Sequence, residues 1–423
     1  MNAAPPDKPL GQGLLAPLSI PDYRRLLIAN ALWWQAMWME MIVIGWLVLE
    51  LTDSPWQVAL VLFYGSVPRL IWGLASGAVV DRVGRRRVIL TSQTVNLLGS
   101  ATIAALIWTE QLEFWHLCVA SFIVGTAWAF DWPARRSYLP DLVGKARTVD
   151  AMLLENFAQI FSRILGPFSG GVLIDTLGAK GCYAVLVSIS LLALITLTRL
   201  SVPPTPSTSR PARNAVRDIV DGFRYVRRNE AIFGTFIITV IMNNLSFPYM
   251  TLLPVFARDV LGQGATGLGL LGTANGVGAL IGLFIIKSVR HKISNGLVFG
   301  FGSAIQPIAL FAFSNSTVFE LSLGLLVCAG VGQAAFSVMQ SSIVLVNASD
   351  EMRSRAMGSI VIGIGAGPPG KLQIGALAEA FGAPFALSLQ TSLCALAVIT
   401  IAMLMPGLRR AREPDPVPFA ADD

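Results

Sequence analysis

The feature that most constrains this chain is a series of long apolar stretches separated by short polar segments. A transmembrane helix needs about 20 mainly apolar residues, so 423 residues leave room for about 12 such helices and their connections. Only 13% of the residues are charged, and the mean hydropathy is +0.64. Because no long polar block remains, the sequence excludes a soluble enzyme and a membrane anchor that carries a soluble domain.

The apolar stretches predict an all-α integral membrane protein with twelve transmembrane helices in two pseudo-symmetric six-helix bundles. A helix satisfies its own amides in hydrocarbon, and the alternating strands of a membrane barrel are missing. The expected spans are 26–50, 57–80, 88–109, 114–135, 151–174, 182–200, 231–255, 267–287, 296–314, 317–346, 358–379 and 383–405. We therefore predict an N-terminal bundle over 1–200, a cytoplasmic linker with an amphipathic helix over 201–230, and a C-terminal bundle with a short cytoplasmic tail over 231–423.

Basic residues give the expected orientation. If both termini are cytoplasmic, Lys180 and Arg258 are the only Lys or Arg on the outer side, and three more lie within spans. This distribution satisfies the positive-inside rule, and it explains the net charge of +6 without a nucleic-acid partner. We read no cleaved signal peptide at the N-terminus.

The two halves of the chain also repeat. A shift of 206 residues aligns the basic segment 81–87 with 287–293, and a shift of 204 aligns Asp175-x-x-Gly-Ala with Glu379-x-x-Gly-Ala. Matches at equivalent ends of equivalent spans indicate two parallel repeats, the internal symmetry expected of an alternating-access transporter.

The loop between spans 2 and 3 carries the most specific motif. Its residues are Gly77, Asp81, Arg82, Gly84, Arg85 and Arg86. The pattern resembles motif A of the major facilitator superfamily, and the resemblance extends over all twelve spans. It implies a gate in which Gly77 permits close helix approach and Asp81 attracts a helix N-terminus of the other half. Arg85 and Arg86 would hold Asp81 there, and Asp131 would extend this charge network by pairing with Arg82 or Arg85.

Further segments resemble the branch of the superfamily that contains the bacterial enterobactin exporter. They are Phe130–Arg135, Leu139–Val143, Arg163–Pro167 and Gly222–Asn229. Span 5 also matches the second half of the antiporter motif C, although the upstream glycines of that motif are missing. We expect its residues to pack helices closely, and they are Gly166, Pro167, Gly170 and Gly171.

Charges within spans are candidate functional groups, because each costs about 2.5–3.5 kcal/mol at the bilayer centre on insertion scales. Glu40 in span 1 and Arg163 in span 5 fall at similar depth, which predicts an ion pair. Such a pair serves either structure alone or proton coupling through a carboxylate whose proton affinity responds to Arg163. Both histidines lie at span ends or in loops, which disfavours a histidine relay.

Lys371 lies in the middle of span 11 without an acid at that depth in its own half. It reaches across to Glu40, meets an anionic substrate, or extends to the membrane interface. We expect the remaining polar and aromatic cavity residues to contact substrate or to join helices. They are Trp34, Trp38, Gln159, Asn243, Asn244 and Gln333.

The sequence therefore predicts a monomeric, proton-coupled exporter of the bacterial inner membrane. It would move a small amphipathic molecule such as a siderophore or a drug, anionic if Lys371 contacts it. Soft and aromatic walls suit varied ligands. No cofactor, metal or enzymatic chemistry is expected, and no Walker-type loop supports ATP-driven transport. Two alternatives remain open, a lipid transporter similar to lysophospholipid flippases and a transporter-like receptor that moves nothing.

Overall fold

The computed structural model describes residues 13–201, 215–289, 292–349 and 351–411. The first bundle contains six membrane helices, α1 to α6. Four of them are separate helices, α1 (Pro21–Thr52), α2 (Pro55–Val83), α3 (Arg85–Trp108) and α4 (Phe114–Val143). The segment Thr148–Thr198 supplies both α5 (148–177) and α6 (179–198), because Gly178 adopts a φ of +66° and reverses the chain.

The second bundle contains helices α7 to α12. Helix α7 (Glu230–Val260) includes the π-helical turns Met242–Ser246 and Phe256–Val260. Helix α11 has an inner half, Arg353–Ile364, and an outer half, Gly367–Phe381. The other four are α8 (Ala265–Val289), α9 (Asn295–Ser314), α10 (Phe319–Asn347) and α12 (Ala383–Leu404).

Nine helical segments of the described ranges are long and apolar enough to cross a membrane. One of them is the hairpin of α5 and α6, so these segments account for ten of the twelve predicted spans. Helix α2, which carries Arg69 at its middle, and α11, which is interrupted at 365–366, are not among the nine. Together they complete a set of twelve, and the described residues show no strand.

The predicted amphipathic helix of the linker spans Ala215–Arg228, and residues 202–214 of the predicted linker lie outside the described part. The linker helix packs on α7 and on the inner half of α11. Val226 is fully buried there, and the Tyr225 hydroxyl accepts a hydrogen bond from the Ser349 amide. The linker helix is therefore attached to the second bundle.

We call the end at which α1 begins the inner end, following the predicted orientation, and the opposite end the outer end. The bundles meet mainly through α5 against α8 and through α2 against the outer half of α11. The inner half of α11 instead packs on the linker helix, α7 and α10. The two bundles are therefore closely packed toward the outer end.

Candidate functional site

At the outer end, Asp175 joins the last turn of α5 to the first turn of α8. Its carboxylate oxygens accept hydrogen bonds from the backbone amides of Ala265 (3.2 Å) and Thr266 (2.8 Å). These amides have no partner within their own helix, and the helix dipole favours a negative charge at this position. Asp175 thus caps a helix of the opposite bundle.

Glu379 makes the equivalent contact between α11 and α2. Its carboxylate accepts hydrogen bonds from the Ser54 hydroxyl (2.9 Å) and from the Trp56 amide (3.2 Å). Ser54 is itself the N-cap of α2 and accepts from the Gln57 amide. The acid-x-x-Gly-Ala repeat in the sequence therefore marks two cross-bundle caps related by the pseudo-symmetry.

Arg258 forms a third connection at this end. From the last turn of α7 it donates to the Asp53 carboxylate and to the Leu49 carbonyl oxygen (3.1 Å), both in the C-terminal region of α1. It also pairs with its neighbour Asp259 at 2.6 Å. Asp53 is 83% exposed, so water weakens this ion pair strongly.

Small residues bring the helices together below these connections. A Cβ atom at Gly166 would collide with Trp38 of α1, and one at Gly171 would collide with the carbonyl oxygen of Ala265 at the start of α8. Gly170 faces Met39 at a similar height. Pro167 completes the group, since its carbonyl oxygen contacts Gly269 of α8. Glycine is needed at these positions because backbones approach directly.

At the inner end, the residues of motif A do not repeat the contacts that Asp175 and Glu379 make at the outer end. Asp81 is exposed, and a Cβ atom at Gly77 would meet nothing within 4 Å. The predicted cap by Asp81 and the close approach at Gly77 are therefore absent in this state. The segment is anchored within its own bundle instead, because Arg85 pairs with Asp141 at 2.5 Å and Arg86 donates to the Thr198 carbonyl oxygen. Arg82 is exposed, and Gly84 has a φ of +94° at the α2–α3 turn.

The prediction that Asp131 pairs with Arg82 or Arg85 is wrong. Asp131 is fully buried and pairs with Arg135 one helical turn away, at 2.6 Å. Arg135 also donates to Asn30 at 2.5 Å and to Gln93 at 3.1 Å. The i,i+4 spacing on α4 brings the acid to its own arginine, whereas Arg82 lies at the end of α2 and Arg85 at the start of α3.

A cavity lies in the inner half of the first bundle, between α1, α4 and α5. Its eleven lining residues all belong to that bundle, and they are Asn30, Trp33, Trp34, Trp132, Arg135, Arg136, Leu139, Met152, Glu155, Asn156 and Gln159. The Glu155 carboxylate accepts a hydrogen bond from the Asn30 amide at 2.8 Å. Asn30 thereby links Glu155 to the buried Arg135 and Asp131.

The predicted ion pair between Glu40 and Arg163 is not formed. Glu40 lies against α3 and α6, with the Ser100 hydroxyl at 3.4 Å and Tyr183 and Cys182 nearby. Arg163 stacks on Trp38 and donates to Asn275 of α8 (2.6 Å) and Gln333 of α10 (2.5 Å). Residues 38 and 40 are about 200° apart around α1, so a group that meets Trp38 cannot reach Glu40.

The other predicted cavity residues lie in different parts of the molecule. Trp34 and Gln159 line the cavity, whereas Gln333 holds Arg163 between the bundles. Asn243 and Asn244 donate to the carbonyl oxygens of Thr239 and Ala366, and thus support the second bundle. Lys371 does not reach Glu40. Its ammonium group donates to the Leu62 carbonyl oxygen of α2 at 3.0 Å.

Sequence reasoning missed four relevant residues. Glu155 and Arg69 are charges within predicted spans, and the rule that pointed to Glu40 and Arg163 would have found them. Asp53 and Arg258 lie at span ends, where charges are common, so their contact across the bundles gave no signal in the sequence.

Comparisons with known proteins agree with this architecture. A family model described as "Transmembrane secretion effector" matches residues 12–421. The multidrug efflux pump Tap of Mycolicibacterium fortuitum is 27% identical over 388 residues, which cover 88% of this chain and 92% of that protein. The staphyloferrin A transporter of Staphylococcus aureus is 23% identical over 82% of this chain and 86% of its own length.

Solved structures show the same fold at low identity. A bacterial homologue of the human lysosomal transporter Spinster, in an inward-facing and unoccupied conformation, has a TM-score of 0.69 and 14% identity, and covers 92% of this chain and 96% of that one. A mutant of the peptide transporter POT in complex with alafosfalin has a TM-score of 0.73 and 12% identity, with 96% and 100% covered. The predicted fold is thereby confirmed. The chain is a multi-pass membrane transporter rather than an enzyme, and it belongs to the transmembrane secretion effector family of the major facilitator superfamily.

Proposed function

We propose that this protein is a proton-coupled exporter of the bacterial inner membrane, which works by alternating access as a monomer with both termini in the cytoplasm. Its substrate is a small amphipathic molecule such as a siderophore or a drug. The names of its relatives, a multidrug efflux pump and a siderophore transporter, support this proposal. A pathway that opens to one side at a time is how two such bundles move a solute.

The observation that carries the proposal is the unequal closure of the two ends. Hydrogen bonds from Asp175, Glu379 and Arg258 cross between the bundles at the outer end. At the inner end Asp81 is exposed, and the cavity is lined by the first bundle alone. This arrangement corresponds to an inward-open state, and release outside requires the three outer connections to break.

The cavity wall supports an amphipathic substrate. Trp33, Trp34 and Trp132 supply aromatic surface and Met152 a flexible apolar side chain, while Gln159 offers polar contacts. Such walls adapt to ligands of different shape. Their position toward the inner end suits loading from the cytoplasm.

Proton coupling has two candidate carboxylates, which the structure places differently. Glu155 lines the cavity and is hydrogen-bonded through Asn30 to Arg135. Glu40 lies inside the bundle against α3 and α6. A coupling group must exchange protons with water and respond to substrate, so Glu155 is the better candidate. Arg163, without Glu40 beside it, acts as a bridge between the bundles rather than as a partner of the coupling group.

Flux into proteoliposomes with an acidic lumen tests coupling, with ethidium as one probe and a citrate-based siderophore as another. We expect both a pH gradient and the wild-type protein to be required for accumulation of at least one probe. Glu155→Gln should abolish gradient-driven accumulation but retain exchange at equal pH. Glu40→Gln is the matched control, an acid of the same bundle changed in the same way, and should retain accumulation.

The opposite ranking of the two variants would return the coupling role to Glu40. Accumulation that ignores the gradient would contradict proton coupling altogether. Movement of labelled lysophosphatidylglycerol in place of both probes would favour lipid transport, and the absence of all flux from well-folded protein would favour a receptor.

A further inference from the structure

Three cations lie near the middle of their membrane helices, and each is held by neutral groups. Lys371 donates to the Leu62 carbonyl oxygen, the Arg69 guanidinium lies 3.7 Å from the centroid of the Trp128 ring, and Arg163 donates to two side-chain amide oxygens. Within the described ranges, none of the three forms an ion pair with a carboxylate. Arg163 donates to two acceptors and bridges the bundles through them. The donors of Arg69 and Lys371 are not satisfied to the same extent.

Arg69 and Lys371 belong to one place in the interface. Helices α2 and α11 pack side by side, since Gly375 meets Ala59 and Gly365 meets Leu70. Lys371 lies between these two contacts along α11. On α2, Leu62 and position 69 are seven residues apart and therefore share a face.

Two like charges on packed helices repel each other, and the repulsion is stronger in a medium of low dielectric than in water. Each charge is also costly to insert at the bilayer centre. A helix interface that needed only stability would be better served by apolar residues of the same size. Arg69 and Lys371 are therefore better explained by an anionic ligand that binds to them.

We propose that Arg69 of α2 and Lys371 of α11, which we together call the anion seat, bind an anionic group of the substrate. This assignment rests on the proposed transport function and names the substrate class for it. The guanidinium offers a fork of donors that matches a carboxylate, phosphate or catecholate, and the ammonium offers up to three more. The Trp128 ring, already against Arg69, provides apolar surface beside the charge.

Equilibrium binding to purified protein tests the anion seat with three dansyl compounds that differ in charge: dansylglycine (anionic), dansylamide (neutral) and dansylcadaverine (cationic). The wild type should bind dansylglycine more tightly than dansylamide. Lys371→Gln and Arg69→Gln should each weaken dansylglycine by tenfold or more, about 1.4 kcal/mol, with little change for the other two compounds. Lys371→Arg, which keeps the charge, should retain most of the preference.

Lys287→Gln is the matched control, because Lys287 is an exposed cation at the inner end of α8 and its removal changes the net charge equally. It should leave all three affinities unchanged. The proposal is overturned if the wild type shows no preference for dansylglycine, or if both variants weaken the three compounds equally. These binding measurements use no pH gradient. Flux that is uncoupled or absent would therefore contradict the proposed transport function without changing the binding result.

Discussion

Both ends of the molecule carry acidic residues in the last turns of helices, but the acids at the outer end contact the other bundle, whereas the acid at the inner end is exposed. At the outer end, Asp175 and Glu379 stand at the last turns of helices and cap the first turns of helices in the other bundle. At the inner end, Asp81 occupies the corresponding last turn of α2 and is exposed. An acid at a helix end is thus a contact that forms only when the opposite bundle brings a helix start to it.

This difference shows why the contacts suit a cycle. A capping hydrogen bond on the surface is worth about 1 kcal/mol, and an exposed ion pair less. A few such contacts bias the positions of two rigid bundles by a few kcal/mol, an amount that substrate and proton binding can reverse.

The largest expected effect comes from Gly171→Ala. The added methyl group would collide with the carbonyl oxygen of Ala265 at the α5–α8 crossing, so we expect the closed outer end to lose about 2–3 kcal/mol. Gly77→Ala, where the methyl group meets nothing within 4 Å, is the control at the inner end. The measurement is the labelling rate of a cysteine at Ala59, which is buried against Gly375 of the other bundle while the outer end is closed, in a background in which Cys118 and Cys328 are serine. Equal rates in the two variants would show that the ends do not differ in packing.

The double variant Asp175→Asn with Glu379→Gln should have the second-largest effect. Loss of both caps should destabilise outer closure by about 2 kcal/mol, or roughly 30-fold in the closed-to-open ratio. Glu110→Gln provides the comparison, because Glu110 is an outer-end acid that pairs with Lys180 inside the first bundle. We expect faster labelling at Ala59 in the double variant alone, and the same increase with Glu110→Gln would refute the special role of the two caps.

Asp81→Asn should have a smaller effect that depends on the state. Asp81 is exposed in this structure, so the variant should leave this state unchanged and weaken inner closure by about 1–2 kcal/mol. The prediction is that a cysteine at Ala146 stays accessible under conditions that close the inner end in the wild type. Asp141→Asn, which removes the partner of Arg85 within the bundle, should not reproduce this. Normal closure of the inner end in Asp81→Asn would show that Asp81 of motif A is not part of the gate.

Arg258→Gln should have the smallest effect, below about 1 kcal/mol, because its partner Asp53 is largely exposed. The labelling rate at Ala59 should rise by less than about fivefold, and added salt should reduce the difference between variant and wild type further. A rise as large as that of the double cap variant would mean that this ion pair, rather than the caps, controls the outer end.

The sequence predicted the number of membrane helices because the hydrocarbon core sets their length and apolar composition. It also revealed the Asp175 and Glu379 repeat, yet not its role, since a cap across bundles depends on which helix starts nearby. The Glu40 and Arg163 pair failed for a related reason. Depth in the membrane follows from residue number, but the direction in which a side chain leaves its helix also depends on how that helix is rotated against its neighbours.

Site residues were hardest to predict where a side chain has several partners within reach. Asp131 had candidate arginines on three helices, and only the packed structure selects Arg135. Arg69 and Glu155 stood within apolar stretches and were open to the argument made for Lys371. Their importance emerges from what surrounds them, an aromatic ring for Arg69 and a cavity for Glu155.

The central claim is that the two ends open alternately, and paired spin-label distances measure this directly. One pair, Gln111 with Thr317, joins exposed outer loops of the two bundles, and another, Ala146 with Glu351, joins exposed inner loops. Introducing the double variant Asp175→Asn with Glu379→Gln should lengthen the outer distance and shorten the inner one together. Lengthening of the outer distance with no change in the inner one, or no change in either, would contradict alternating access by these bundles.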